Sequence, residues 1–137
     1  MELNNFDLES LCMDILLSKD KKVSLCFSDE LEFISNLPRL PLDYEKRIIE
    51  FLEKHDIWYK YVVDRMEKEF NSKAIYELTN IYILSEPQAK NLVFGLGFWV
   101  SEDIEHGRGI KIEVLDDGFK ILEYGLFEII SYPYGLY

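Results

Sequence analysis

The sequence is poor in positive charge. It has 15 lysine and arginine residues against 26 aspartate and glutamate residues, which gives a formal net charge of -11 at pH 7. An acidic surface repels nucleic-acid phosphates and anionic lipid headgroups, whereas it attracts basic proteins and accelerates encounters with them. We therefore expect a basic protein partner, no nucleic acid and no membrane. The alternative is that the charge only keeps the protein soluble.

Residues for metal, disulfide and catalytic chemistry are scarce. The chain has two cysteines and two histidines. Cys12 and Cys26 form no CxxC pair and are too few for a disulfide framework, so we expect small, buried, apolar side chains. No Gly-rich phosphate loop is present, and no nucleophile motif surrounds a serine or cysteine. The sequence therefore predicts no cofactor, no metal and no enzymatic activity.

Long apolar runs are also absent. The longest, from Leu92 to Val100, has nine residues and includes two glycines, whereas a membrane helix needs about 20 apolar residues. The first residues have neither the basic region nor the apolar stretch of a secretory signal. We expect a cytoplasmic protein with reduced cysteines. With no repeat or linker in its length, the chain is interpreted as a single domain, residues 1–137.

The N-terminal part of the chain predicts a β-hairpin. Residues 11–18 and 22–28 flank a polar turn, and the second segment alternates apolar and small polar side chains, which is the period of a strand. Cys12 and Cys26 then lie on partner strands, near each other but not necessarily in register. Residues 29–34 predict a short helix that ends before a proline-containing segment.

The middle of the chain is helical. Apolar residues recur at helical spacing over residues 42–54 and 56–71, which predicts either two antiparallel helices or one long helix. His55-Asp56 marks the expected break between two helices. Pro41 and Asp43 are typical of a helix start.

After residue 73 the apolar period changes to two, which predicts antiparallel strands. Asp-Gly at 117–118 predicts a tight turn, and Phe127, Ile129 and Ile130 continue the meander. Gly95 and Gly97 lie inside one strand and indicate a bend, a bulge or the close approach of another segment. Because strands and helices are segregated along the chain, we expect an α+β fold: an N-terminal β-hairpin, two central helices and a C-terminal antiparallel meander with the helices on one face.

The segment 101–109 joins two of these strands and is rich in polar residues. As a plain hairpin loop, it would use positive φ at Gly107 and Gly109, hydrogen bonds from backbone amides to Asp103, and an Arg108–Glu105 ion pair. As a partner-binding loop, it would present acids to lysines and arginines. We predict six contact residues, followed in second place by the acids at 29, 30 and 32; the six are Glu102, Asp103, Glu105, His106, Asp116 and Asp117.

The same loop allows a chemical interpretation. Glu105 and His106 could act as an acid–base pair or bind a metal with neighbouring carboxylates. Adjacent residues of an extended chain point to opposite sides, so the two side chains converge only if the loop bends. A small metal-binding or hydrolytic enzyme is therefore the alternative function.

The run from Phe98 to Ile112, followed by residues 121–125, resembles a strand–D-x-E-H-G-x-G–strand motif of uncharacterised bacterial domains. Some of these domains occur in small acidic proteins that are encoded beside secreted or contact-delivered toxins. The N-terminal hairpin followed by two helices is similar to their layout. The resemblance implies an immunity protein of a polymorphic-toxin or contact-dependent growth inhibition system, with a cognate toxin as its partner. It carries over no catalytic residues, and the loop serves only as a landmark.

Overall fold

The computed structural model describes residues 2–37 and 39–132. Six strands, two α-helices and two 3-10 helices follow one another along this part of the chain. In chain order they are β1 (Cys12–Ser18), β2 (Lys21–Phe27), the 3-10 helix η1 (Glu32–Asn36), α1 (Leu42–Glu53), α2 (His55–Glu67), β3 (Tyr76–Ile83), β4 (Val93–Val100), β5 (Arg108–Leu115), β6 (Gly118–Gly125) and the 3-10 helix η2 (Phe127–Ser131).

The six strands form one mixed sheet in the order β1-β2-β3-β4-β5-β6. Strands β3 to β6 are an antiparallel meander, and β1 and β2 are an antiparallel hairpin. The predicted α+β class, hairpin and meander are confirmed. The hairpin joins the meander through a parallel pairing of β2 with β3. Parallel neighbours need a long crossover, and the segment containing η1, α1 and α2 is that crossover.

Both α-helices pack on one face of the sheet, as predicted, and we call it the helix face. Phe51 of α1 stacks on Phe94 of β4 with 3.9 Å between ring centroids, and on Trp58 of α2 with 4.8 Å. Tyr59 meets the edge of Phe98 at 5.9 Å. The apolar residues of β4 that face this side are fully buried. The core therefore lies between β4 with its neighbours and the two helices.

The central helical segment is two helices separated by one residue, Lys54. The predicted break is confirmed to within one position. The predicted antiparallel arrangement of the two helices stays a prediction, and the one-residue connection argues against it. A connection of one residue is shorter than the loops that usually reverse the chain between helices. The short helix predicted over 29–34 is the 3-10 helix η1, which begins at Glu32.

The opposite side of the sheet, which we call the η2 face, is crossed by η2. Glycines on β4 and β5 make room for it: a Cβ on Gly97 would lie 2.5 Å from Ile130 Cδ1 and from Phe127 Cε2, and one on Gly109 would lie 2.7 Å from Ile130 Cγ2. Close approach of another segment is therefore the reason for glycine in this strand. The prediction that Phe127 to Ile130 continue the meander is wrong, because they pack across the sheet as a 3-10 helix.

Cys12 and Cys26 are directly opposite each other in the β1–β2 register. Their Cα atoms are 4.0 Å apart and a disulfide joins them. The prediction that both cysteines are reduced is therefore wrong. The reason is the hairpin register, since a difference of one residue would send the two side chains to opposite faces. Both cysteines were predicted to be buried; Cys26 is fully buried, whereas Cys12 is only partly buried.

Candidate functional site

The loops of the sheet lie at two ends. Since β2, β3 and β5 run in the same direction, the segments that follow them share one end, which we call the turn end; it carries Asp116 and Asp117. The 101–107 loop precedes β5 and lies at the other end, the loop end. The eight residues of β5 separate the two ends by about 23 Å, at about 3.3 Å per residue. The six predicted contact residues therefore form two separate groups.

The backbone of the 101–107 loop forms a tight turn that reverses the direction of the chain. Asp103 N donates to Val100 O at 3.1 Å, and Gly107 N donates to Asp103 O at 2.9 Å. Gly107 has a φ of 60° and is the one glycine with positive φ among the described residues. The prediction for Gly107 is confirmed, whereas that for Gly109 is wrong: Gly109 belongs to β5 and lies beneath η2.

Arg108 holds the loop end together from inside. Its guanidinium donates from Nη1 to Asp103 Oδ2 at 2.7 Å, and from Nε and Nη2 to the two oxygens of Glu69 at 2.8 and 2.5 Å. The Arg108 side chain is 10% exposed and lies over the ring of Phe70, 4.7 Å from its centroid. Paired hydrogen bonds of this kind to a carboxylate are strong and fix geometry. The predicted pairing of Arg108 with Glu105 is wrong, because the guanidinium forms an ion pair with Glu69 instead. Glu69 lies just beyond the end of α2.

The Glu69 carboxylate also accepts a hydrogen bond from a tyrosine. The Tyr124 hydroxyl of β6 donates to Glu69 Oε1, and Arg65 lies over the Tyr124 ring at 4.0 Å. Hydrogen bonds from Arg108 lower the pKa of Glu69 from 4.5 to about 2, and the Tyr124 hydrogen bond acts in the same direction. Burial, with Glu69 beside the phenol, raises the Tyr124 pKa above its ordinary value. Glu69 is therefore an ionised carboxylate that the chain neutralises itself.

The Asp103 side chain belongs to the same hydrogen-bonded cluster as Arg108 and Glu69. Its second oxygen lies 2.8 Å from His106 Nδ1, and hydrogen bonds from Arg108 and His106 lower its pKa. The prediction that backbone amides bind the Asp103 side chain is wrong, since Arg108 and His106 hold both oxygens. Of the four predicted contact residues in this loop, Glu102, Glu105 and His106 are exposed, whereas Asp103 is held within the cluster.

The alternative function based on Glu105 and His106 stays a prediction. The polar partner of His106 is Asp103, and the His106 side chain is 55% exposed at the surface. Within residues 2–37 and 39–132, no group of three histidine, cysteine, aspartate or glutamate residues is arranged to hold a metal ion. Metal analysis of the purified protein tests this alternative directly.

Four acidic side chains in the described residues form an ion pair with a lysine or arginine. They are those of Asp14, Glu69, Asp103 and Glu123. The chain has 26 acidic residues against 15 lysines and arginines, so an excess of 11 negative charges remains whichever pairs form. The pairs with Arg108 and Lys111 involve buried cations, whereas Lys22 and Asp14 are both exposed.

Exposed apolar residues also lie at the loop end, and the sequence analysis did not name them as contacts. Trp99 is 39% exposed, Ile75 63% and Ile104 65%. The signal was present for Trp99, because the alternation of β4 places it on the face opposite Phe98 and Val100. For Ile75 and Ile104 no local pattern distinguishes an exposed apolar residue from a core residue.

No α-helix in the described part of the chain is long and apolar enough to cross a membrane. Comparisons with family models, with curated proteins and with solved structures found no match to this chain. The arrangement of its own residues is therefore the basis for any statement about function.

Proposed function

We propose that this protein is an immunity protein that binds a basic bacterial toxin domain, such as a nuclease, and neutralises it. The observation that carries the proposal is the excess of acidic over basic side chains, 26 against 15, which gives a formal net charge of -11. A protein with this excess of negative charge attracts cationic partners. The resemblance of the 103–109 motif to immunity-associated domains supports the same function.

The mechanism is capture by charge followed by coverage of the toxin. Complementary charge raises the association rate and selects the partner, whereas apolar contacts at the centre of an interface slow dissociation. We assign the charged contacts to Glu102 and Glu105 at the loop end, with His106 as a polar contact beside them, and to Asp116 and Asp117 at the turn end. Asp103 acts indirectly, because its bonds to Arg108 and His106 hold the loop in shape.

The experiment is co-expression with the C-terminal toxin domain encoded by an adjoining gene. Cells that produce the toxin domain alone are expected to stop growing, and cells that also produce this protein are expected to grow. The purified pair should form a complex whose association rate falls as salt rises, because exposed charges are screened. Growth arrest unrelieved by this protein, together with no complex in vitro, would contradict the proposal.

Neutralising variants separate the two ends of the sheet. Glu102→Gln with Glu105→Gln is expected to slow association, and Asp116→Asn with Asp117→Asn is the matched pair at the turn end. The end that contacts the toxin should show the larger loss of rate and a weaker salt dependence. Equal rates for both pairs and the unaltered protein would contradict capture by these charges.

A further inference from the structure

We propose that the toxin docks on an apolar patch at the loop end that consists of Ile75, Trp99 and Ile104, which we call the Trp99 patch. Its partner chemistry is an apolar pocket bordered by lysine and arginine. The inference rests on the proposed function and deepens it, because it names the surface and the shape of the partner's complementary site.

The backbone pairing brings Ile75 and Trp99 to one place. Ile75 and Ser101 are joined by Ser101 N donating to Ile75 O at 3.0 Å and Ile75 N donating to Ser101 Oγ at 2.8 Å. Glu77 is directly opposite Trp99 on the neighbouring strand. Ile75 and Trp99 are therefore diagonal neighbours on the η2 face, within reach of a large aromatic side chain. Ile104 lies in the loop that continues from Ser101.

The residues of the patch are exposed to solvent, although the protein has an apolar core in which such side chains are usually buried. Ile75 and Ile104 are 63% and 65% exposed, and Trp99 is the exposed tryptophan of the two, since Trp58 is fully buried. Single exposed apolar residues are normal on a protein surface. An exposed tryptophan with an exposed isoleucine as its diagonal neighbour is typical of the centre of an interface, where aromatic anchors carry most of the binding energy, and Ile104 adds a further exposed apolar side chain in the loop that follows β4.

The charges around the patch decide which partner it fits. Glu77 is opposite Trp99 on the neighbouring strand, Glu102 and Glu105 belong to the loop that follows β4, and all three are exposed. Anionic lipid and nucleic acid would be repelled by these carboxylates, and a second copy of the chain would bring another net charge of -11. A basic protein would bind through both parts of this surface. Its lysines and arginines would contact the carboxylates around the patch, and its apolar pocket would enclose Trp99.

The rigid support of the patch suits it for docking without rearrangement. Trp99 is on a central strand of the sheet, flanked by β3 and β5. The loop that carries Glu102, Ile104 and Glu105 is fastened by the bonds of Arg108 to Asp103 and Glu69. Partners that meet preformed surfaces lose less conformational freedom on binding.

The intrinsic fluorescence of Trp99 reports whether a partner covers this side chain. Neutral acrylamide quenches the fluorescence of an exposed indole and not that of a buried one, so quenching of this protein reports Trp99 while Trp58 is silent. We expect the toxin domain to protect Trp99 from acrylamide. A complex that forms, as seen by gel filtration, while the quenching of Trp99 is unchanged would overturn the proposed surface and leave the immunity function standing.

Substitutions test the energetics. Trp99→Ala is expected to weaken the complex about 30-fold or more, which is the effect of losing an aromatic anchor, and Ile104→Ser is expected to weaken it to a lesser extent. Ile57→Ser is the matched control, since Ile57 is 62% exposed but belongs to α2 on the helix face. Circular dichroism confirms that each variant is folded. Equal affinities for Trp99→Ala and Ile57→Ser would overturn the proposal.

A second probe keeps the surface testable if the toxin domain does not bind at all. That result would contradict the proposed function. A short amphipathic peptide of lysine and leucine has the chemistry that the Trp99 patch should accept. At low salt it is expected to protect Trp99 from acrylamide, whereas a glutamate and leucine peptide should not. Unchanged quenching with the lysine peptide would overturn the assigned surface independently of any toxin.

Discussion

Arg108 and Glu69 meet through two parallel N–H···O bonds, at 2.8 and 2.5 Å, although 39 residues separate them in the chain. Arg108 begins β5 and Glu69 lies just beyond the end of α2. The pair therefore ties the end of the crossover to the sheet. With Asp103 on the same guanidinium, it also fixes the loop whose exposed neighbours we assign to partner binding.

Arg108→Met is expected to destabilise the protein by about 2 kcal/mol, because it removes hydrogen bonds to charged groups and leaves two carboxylates without their cation. Equilibrium denaturation in urea measures the change. Arg39→Met is the matched control, because Arg39 is exposed and its effect should stay within about 0.5 kcal/mol. Equal stabilities of the two variants would show that the Arg108 cluster adds nothing to the fold.

Stability is expected to fall in acid through Glu69. Its pKa is lowered in the folded protein from 4.5 to about 2, so the folded state favours the ionised form. The resulting stabilisation is fully present above the unfolded pKa and is lost as the pH falls from about 4.5 to about 2.

In Glu69→Gln the free energy of unfolding should depend less on pH over this window, while at neutral pH the variant should be the less stable protein. Denaturation at a series of pH values measures both the pH dependence of the free energy of unfolding and the difference in stability at neutral pH. Parallel pH profiles for the two proteins would exclude a lowered Glu69 pKa.

Gly97→Ala is expected to displace η2. The added methyl group would lie 2.5 Å from Ile130 Cδ1 and Phe127 Cε2, and overpacking of this kind costs about 1–3 kcal/mol. Gly118→Ala is the control, because a Cβ there meets nothing within 4 Å. Denaturation of both variants tests the contact, and a Gly97→Ala protein as stable as Gly118→Ala would show that η2 does not pack on this strand.

Reduction is expected to weaken the N-terminal hairpin. The Cys12–Cys26 bridge spans 14 positions, and a cross-link over a loop of about 15 residues contributes up to about 3 kcal/mol by limiting the unfolded chain. Dithiothreitol should lower the midpoint of urea denaturation of the unaltered protein but not that of the Cys12→Ala, Cys26→Ala double variant. Two titratable thiols in denatured protein that was purified without reductant would rule out the bridge.

Local patterns predicted much of the fold. The alternation of apolar residues located β4 and β5, and helical spacing located α1 and α2 with a break one residue from Lys54. These predictions succeed because periodicity reflects burial of one side of an element. The same patterns misassigned Phe127 to Ile130, whose apolar side chains fit a strand and a 3-10 helix equally well until the glycines of the η2 face are in place.

The candidate site was predicted only in part. The loop and the positive φ of Gly107 follow from composition, because glycine adopts that conformation without steric cost. The partner of Arg108 does not follow, since an ion pair between residues 69 and 108 leaves no local trace. The Cys12–Cys26 bridge lies between these cases: the hairpin was predicted, but the register that makes the two cysteines meet was not.

By itself, the sequence determined the hairpin, the helical middle segment and the strands up to β6, their order, the α+β class and the acidic charge, because each depends on composition or on short-range periodicity. Only the tertiary structure decided that β2 pairs with β3 in parallel and that η2 fills the glycine-lined face. These features depend on strand order and direction. They are set by the packing of residues that are distant in the chain, which no local pattern encodes.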